Sequence, residues 1–147
     1  YRNFARFYAM TVHFKNINSL AMSGSGDIIS KDVIKGNSLK MAVAGSGDIK
    51  IEMDVQMATS AISGSGDIKL SGKATEFEAA VSGSGDIEAY DLKTEKAELK
   101  VAGSGSIGIS VEKEIVARVS GSGDIKYKGT PRIEDIKVSG SGSVSSY

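Results

Sequence analysis

A six-residue motif that returns at a nearly constant interval constrains this chain more than any other feature. Its first copy, Ser-Gly-Ser-Gly-Asp-Ile, occupies residues 23–28. Six more copies, some with one or two substitutions, occupy residues 44–49, 63–68, 82–87, 102–107, 120–125 and 139–144. Subtracting the positions of their first glycines gives intervals of 21, 19, 19, 20, 18 and 19 residues. A period near 20 over a whole chain is typical of stacked structural repeats.

Alternating apolar residues flank each motif. Before the second copy the apolar positions are Leu39, Met41 and Val43, and after it they are Ile49 and Ile51. Alternation with a period of two predicts β-strands that bury one face and expose the other. Segments with a sustained helical period are absent from the sequence, so the repeat unit is predicted to contain only strands and turns.

The repeat and the alternation together predict an all-β protein, a right-handed parallel β-helix (solenoid) of about 19 residues per coil and about seven rungs. An antiparallel sandwich or barrel is the alternative; it explains short, evenly spaced strands but not an identical corner in every repeat. In the solenoid, equivalent residues of successive coils stack in columns. One buried column is predicted at Val43, Ile62, Val81, Val101, Val119 and Val138. A second is predicted at Ile49, Ile68, Ile87, Ile107 and Ile125.

The first fourteen residues differ from the rest. They hold five of the nine aromatic residues, namely Tyr1, Phe4, Phe7, Tyr8 and Phe14. Their spacing fits either a short helix face or an alternating strand. A stack of repeats leaves an apolar end that an atypical segment must cover. We therefore expect residues 1–14 to be an aromatic-rich N-terminal cap, or the remnant of a longer N-terminal region, and residues 15–147 to be the repeat domain.

Two glycines in each motif predict a sharp corner, because glycine reaches positive φ and lacks a Cβ that would crowd the bend. These structural corner residues are Gly24, Gly26, Gly45, Gly47, Gly64, Gly66, Gly83, Gly85, Gly103, Gly105, Gly121, Gly123, Gly140 and Gly142.

The acidic position of the motif forms a column of its own. Four consecutive copies place aspartates there, at Asp27, Asp48, Asp67 and Asp86. Like charges on neighbouring strands repel, so we expect each carboxylate to accept backbone N–H groups at its own corner, as in Asx turns, helped by lysines two residues further on. A calcium site is the less favoured alternative, because calcium needs oxygen ligands but the known Gly-Asp calcium repeats have a period of nine residues. No metal or cofactor is otherwise predicted.

Composition excludes several classes of function. The chain carries 18 basic and 18 acidic residues and no basic tract, which argues against nucleic acid as a partner. It has no cysteine and no apolar run of membrane-spanning length. Pectin-degrading enzymes are parallel β-helices with acidic residues on neighbouring rungs, but a column of equivalent aspartates does not offer the two different carboxylates that acid–base catalysis uses. The single histidine, His13, lies in the N-terminal segment, and we predict no catalytic residue.

The motif also resembles a known family. Its seven copies, the step Lys-Tyr-Lys-Gly-Thr-Pro at residues 126–131, and the closing copy at 139–144 are similar to the putative autotransporter adhesin head domain, also called the head GIN domain, common in Bacteroidetes. The resemblance implies a right-handed parallel β-helix in an exported protein, at the cell surface or outer membrane or in the periplasm. It implies adhesion without supplying catalytic residues.

We therefore expect a non-enzymatic binding or adhesion module whose partner is a carbohydrate or a protein. The alternatives are a pectinase-like polysaccharide-degrading enzyme and a purely structural spacer or assembly element that forms homo-oligomers.

Overall fold

A computed structural model describes residues 4–7, 10–12, 19–24, 27–30 and 33–146, and all regular structure in these ranges is β-strand. The strands are β1 (Phe4–Phe7), β2 (Met10–Val12), β3 (Ser19–Gly24), β4 (Asp27–Ser30), β5 (Ile34–Gly45), β6 (Asp48–Gly64), β7 (Ile68–Gly83), β8 (Ile87–Gly103), β9 (Ser106–Gly121), β10 (Asp124–Lys128), β11 (Ile133–Gly140) and β12 (Ser143–Ser146). Within the described ranges, no helix has the length and apolar content to cross a membrane.

Every pair of neighbouring strands is parallel, and each strand pairs with its equivalent in the next coil. Gly45 lies opposite Gly64, and Gly64 lies opposite Gly83, so the motifs stack in register. The path β3-β5-β6-β7-β8-β9 follows sequence order. The prediction of a parallel solenoid with about 19 residues per coil is confirmed, and the antiparallel alternative is wrong.

The four central strands, β6 to β9, each run 16 or 17 residues from one motif to the next. Inward and outward side chains alternate along them, but the alternation reverses within each strand. In β7 the adjacent residues Thr75 and Glu76 are both exposed, and in β9 Glu112 and Lys113 are both exposed. A strict period of two would keep the same alternate positions facing inward along the whole strand, so each reversal marks where the strand passes from one wall of the coil to another.

The core consists of stacked aliphatic columns. The isoleucine column is completely enclosed, with Ile49, Ile68, Ile87, Ile107 and Ile125 all at 0–1% exposure. The valine column is equally buried from Val43 to Val119. Its last member, Val138, is 42% exposed. Val138 keeps its register with Val119, but within the described residues no further coil covers it.

The two N-terminal strands extend the same sheet. β1 pairs in parallel with β3, and β2 pairs in parallel with β4. The strand interpretation of this aromatic segment therefore applies to Phe4–Phe7 and Met10–Val12. Three aromatic residues of the predicted cap, Tyr1, Tyr8 and Phe14, lie outside the described residues, as does His13.

Candidate functional site

The first glycine of each motif turns the chain through a backbone conformation that other residues rarely adopt. All seven first glycines have φ between 100° and 131°. Gly64, for example, has φ of 131°, and a Cβ there would lie 2.5 Å from the carbonyl oxygen of Gly45. The same carbonyl accepts a hydrogen bond of 2.9 Å from the Ser65 N–H. The corner is thus a point where successive coils meet backbone to backbone.

The second glycine is needed for a different reason. Gly66 does not have positive φ, but a Cβ on it would lie 2.2 Å from the carbonyl oxygen of Gly47 and 2.7 Å from Cγ1 of Val43. The same close approach recurs at Gly85, Gly105, Gly123 and Gly142. Gly26, the predicted corner residue of the first motif, lies outside the described residues.

The aspartate column links coils rather than closing its own corners. The carboxylates of Asp27, Asp48 and Asp67 each accept a hydrogen bond from the backbone N–H of the next aspartate in the column, over 3.3, 3.2 and 3.1 Å. Asp86 does the same for Ser106, over 2.9 Å. The expected acceptor role is present, but the donor belongs to the following coil. This arrangement offsets the repulsion within the column, because each negative charge lies beside an N–H dipole.

Two further details describe the surroundings of this column. Lys69, expected to assist Asp67, forms its ion pair with Glu88, at 3.6 Å. No group of three or more His, Cys, Asp or Glu side chains with the arrangement of a metal site occurs among the described residues. The carboxylates of Asp27, Asp48, Asp67 and Asp86 thus act as hydrogen-bond acceptors between coils, and the calcium alternative for this column stays a prediction.

A β-bulge interrupts the wall that follows the glycine corner. Lys69 pairs with Glu88 and Ser71 pairs with Asp91, so Leu70 alone lies opposite Ala89 and Tyr90. On the other side of β8, Ala89 pairs with Ile109 and Lys93 with Ser110. Bulges re-aim side chains and are over-represented near functional sites.

Side-chain hydrogen bonds hold the bulge where the ladder is broken. The Ser110 hydroxyl donates to the carbonyl oxygen of Tyr90, over 2.5 Å. The Thr94 hydroxyl donates in turn to the carbonyl oxygen of Ser110, over 2.6 Å. The backbone of the bulge is therefore fixed by side chains of its own and the following coil.

The ring of Tyr90 lies over Gly108. A Cβ at Gly108 would be 2.4 Å from Cζ of Tyr90 and 2.6 Å from its hydroxyl oxygen. The equivalent position is lysine in three other coils, at Lys50, Lys69 and Lys126. The Lys128 ammonium lies 4.9 Å from the centroid of the Tyr90 ring, within the range of a cation–π contact.

A cavity of about 220 Å³ opens beside this tyrosine, and we call it the Tyr90 trough. Its lining consists of Lys50, Lys69, Leu70, Ser71, Glu88, Tyr90 and Asp91. Leu70 is 4% exposed, while the four charged residues are exposed. Sequence reasoning missed this trough.

Another outer wall is flat and carries small residues. Ala42, Ala61 and Ala80 follow one another down the column, and Lys100 and Arg118 continue it. A shallow hollow of about 650 Å³ overlies the alanines. A row of alanine side chains offers no charge and no hydrogen-bonding group, so this wall defines no site by itself.

Polar side-chain contacts supplement the strand pairing of the last coil. Arg118 binds the Asp135 carboxylate at 2.8 Å, and this hydrogen bond holds the pKa of Asp135 below its ordinary value. The Tyr127 hydroxyl donates to Glu134 over 3.1 Å. Burial, together with the bond to Glu134, raises the pKa of Tyr127. The strand β11 nevertheless leaves Ile133, Ile136 and Val138 exposed.

Fold and surface together define a parallel β-solenoid whose outer walls repeat the same side-chain positions from coil to coil. Residues 2–131 match the family described as putative auto-transporter adhesin, head GIN domain. The chain belongs to that family. None of the curated proteins matches it significantly.

Solved structures show the same fold. A putative adhesin from Bacteroides fragilis is 30% identical, with a TM-score of 0.82 over 89% of this chain and 61% of that one. A putative lipid binding protein from Parabacteroides distasonis is 31% identical, with a TM-score of 0.86 over 99% and 58%. A putative adhesin from the same species is 23% identical, with a TM-score of 0.91 over 99% and 64%, and shows the fold alone. The chain spans about three fifths of the length of these structures.

Proposed function

We propose that this chain is a non-enzymatic binding module of an exported protein, positioned at the cell surface or in the periplasm, with a carbohydrate or a protein as its ligand. The observation that carries the proposal is the register of the coils. Gly45, Gly64 and Gly83 stack directly, so the outer walls present side chains at fixed positions on strands that are hydrogen-bonded from coil to coil. Such a surface suits recognition, because little conformational entropy is lost when a rigid surface binds.

The family and its solved members support this proposal. Two of the similar structures are named putative adhesins and one a putative lipid binding protein. These names describe binding rather than turnover. A pectinase-like activity has less support, because Asp48 and Asp67 each hold a backbone N–H of the next coil.

A glycan array combined with a polysaccharide hydrolase and lyase panel tests the proposal. We expect retention of a glycan, or capture of a defined surface protein, without any change in the ligand. Release of reducing sugar or unsaturated uronate from a polysaccharide would overturn it. Fractionation of the native bacterium should place the protein in the outer membrane or periplasmic fraction, and recovery in the cytosol would contradict the proposed location.

A further inference from the structure

We propose that a cleft around Lys73 and Lys93 binds the carboxylate of an isolated acidic sugar unit, a uronate or a sialate, within a glycan. The inference rests on the proposed binding function and names its ligand class. We call this cavity of about 370 Å³ the lysine cleft. The polar residues of its rim are Asp54, Lys73, Thr75, Lys93, Glu95 and Glu112.

The two lysines are stacked without a counter-ion. Lys73 lies directly opposite Lys93 on the neighbouring strand, where like charges destabilise a sheet. Among the described residues, neither ammonium group has a carboxylate oxygen within 4.0 Å. Lys50 and Lys69 are also stacked, but there Lys69 forms an ion pair with Glu88. An anionic group held between the Lys73 and Lys93 ammonium groups would relieve the repulsion that the described side chains leave in place.

A second β-bulge forms one edge of the cleft. Two residues of β9, Glu112 and Lys113, lie opposite the single residue Glu95 of β8. The Lys113 ammonium binds the Glu95 carboxylate at 3.2 Å, so these two charges balance each other. Glu112 remains on the rim of the cleft. Bulges re-aim side chains in this way and are over-represented beside functional sites.

The other charges of the rim favour a ligand group with one negative charge. Asp54 lies opposite Lys35 on one side and Lys73 on the other, so two lysines share its charge. With Lys93 and Glu112, the set contains three lysines and two carboxylates, which is a net charge of +1. A carboxylate suits this balance better than a phosphate dianion, because Asp54 and Glu112 would repel the second negative charge.

The surroundings of the lysine pair also favour hydroxyl groups on the ligand. Asp54 and Glu112 can accept hydrogen bonds from sugar hydroxyls, and Thr75 can donate or accept one. Charges beyond the rim are mostly negative and would repel a densely charged polyanion; they are Glu52, Glu76, Asp91, Lys96 and Glu114. The ligand that fits both conditions is a glycan in which acidic sugars are isolated among neutral ones.

The floor and the size of the cleft are consistent with a sugar ring. Val55, Ala74 and Thr94 follow one another in register and are buried, and the Thr94 hydroxyl already donates to the carbonyl oxygen of Ser110. Small-molecule sites have volumes of roughly 300–1,000 Å³. At about 370 Å³, the cleft has room for an acidic sugar and part of its neighbour.

Calorimetric titration tests the assignment with oligosaccharides that carry one uronate or sialate, with the methyl ester of each, with inorganic phosphate and with heparin. We expect at least one acidic oligosaccharide to bind. Its methyl ester keeps the hydroxyls but loses the charge, and should bind roughly tenfold more weakly because both lysine contacts are lost. Lys73→Gln and Lys93→Gln should each weaken binding by roughly two- to fivefold, the scale of one exposed ion pair. Neither should lower the melting temperature, since each removes one of two stacked like charges.

Lys50→Gln is the matched control, because Lys50 is an exposed lysine stacked on another lysine but lines the Tyr90 trough; its affinity should equal that of the unmodified chain. Glu112→Ala distinguishes a sugar from a bare anion. Loss of a hydroxyl acceptor should weaken binding of the acidic oligosaccharide, whereas a bare anion would bind more tightly once the negative charge is removed.

The cleft assignment would be overturned, and the binding function left standing, by equal affinity of Lys73→Gln, Lys93→Gln and the control. Equal affinity for an acidic oligosaccharide and its ester, tighter binding by Glu112→Ala, or preference for phosphate or heparin would overturn it in the same way. Failure of every acidic oligosaccharide to bind would also overturn the assignment. Cleavage of any oligosaccharide would instead overturn the proposed function.

Discussion

The Asp86 carboxylate accepts a hydrogen bond of 2.9 Å from the backbone N–H of Ser106, a residue 20 positions later in the next coil. This contact replaces the local turn expected from the motif. The aspartate of one coil completes the corner of the following coil, so what the motif requires at this position is an acceptor oxygen more than a charge.

Replacement of Asp67 separates these two requirements. Asp67→Asn retains an acceptor for the Asp86 N–H and removes repulsion within the column, so its unfolding free energy should stay within about 0.5 kcal/mol of the unmodified value. Asp67→Ala removes the acceptor and should lose roughly 0.5–1 kcal/mol. Urea denaturation, repeated with calcium and with chelator, measures both. A loss of unfolding free energy in Asp67→Asn that occurs only when calcium is present would identify a metal site.

The second glycine of the motif should tolerate no side chain. In Gly66→Ala the new Cβ meets the Gly47 carbonyl oxygen at 2.2 Å, and the resulting backbone shift should cost on the order of 1–3 kcal/mol or prevent folding. Gly36→Ala is the control, since no atom lies within 4 Å of a Cβ at that position. Thermal melts compare the two. Similar melting temperatures for both variants would mean that the coils can separate at the corner at little cost.

Each residue of the isoleucine column should contribute strongly to stability, because the column is completely buried. Ile87 is 1% exposed, so Ile87→Ala should lower the unfolding free energy by about 2–5 kcal/mol. Ile133, at 56% exposure, provides the same substitution outside the core, where the loss should be within about 0.5 kcal/mol. A loss below about 1 kcal/mol at Ile87 would contradict the packing described above.

Acid should weaken the attachment of the last coil. Arg118 lowers the folded-state pKa of Asp135 below its ordinary value of 3.8. The stabilisation from this pair is therefore present above the unfolded-state pKa and is lost as the pH falls through the folded-state pKa. Asp135→Asn should reduce the loss of unfolding free energy that occurs as the pH falls through the folded-state pKa of Asp135. Arg118→Met should have the same effect, and the double variant should add nothing further; additive effects would show that the two side chains act independently.

Much of the fold could be predicted because the motif period and the alternation of apolar residues both indicate stacked coils of parallel strands. The buried columns from Val43 to Val119 and from Ile49 to Ile125 follow directly from that register. The prediction that Val138 is buried is wrong: the residue is 42% exposed, because its burial needs a following coil and none of the described coils packs on it. The backbone N–H group that donates to each aspartate carboxylate could not be predicted either. The sequence is equally consistent with a donor in the same corner and with a donor in the next coil.

The Tyr90 trough depends on register between coils, which hydrophobic alternation does not reveal. Two signals were nevertheless present. The interval between Gly83 and Gly103 is 20 residues, against 19 in three other coils, and Gly108 stands where three other coils have lysine. A long coil followed by a glycine in the next one indicates a bulge with a side chain resting on the neighbouring backbone.

The parallel register of the coils also makes the molecule mechanically anisotropic. Hydrogen bonds such as Ser84 N–H to the Gly64 carbonyl join one coil to the next and so point along the stacking axis. A force that separates the first coil from the last would break one ladder at a time, in the manner of a zipper. A force applied along a strand would load all the hydrogen bonds of a ladder in shear at once. The direction in which the chain is tethered therefore decides how much tension it withstands.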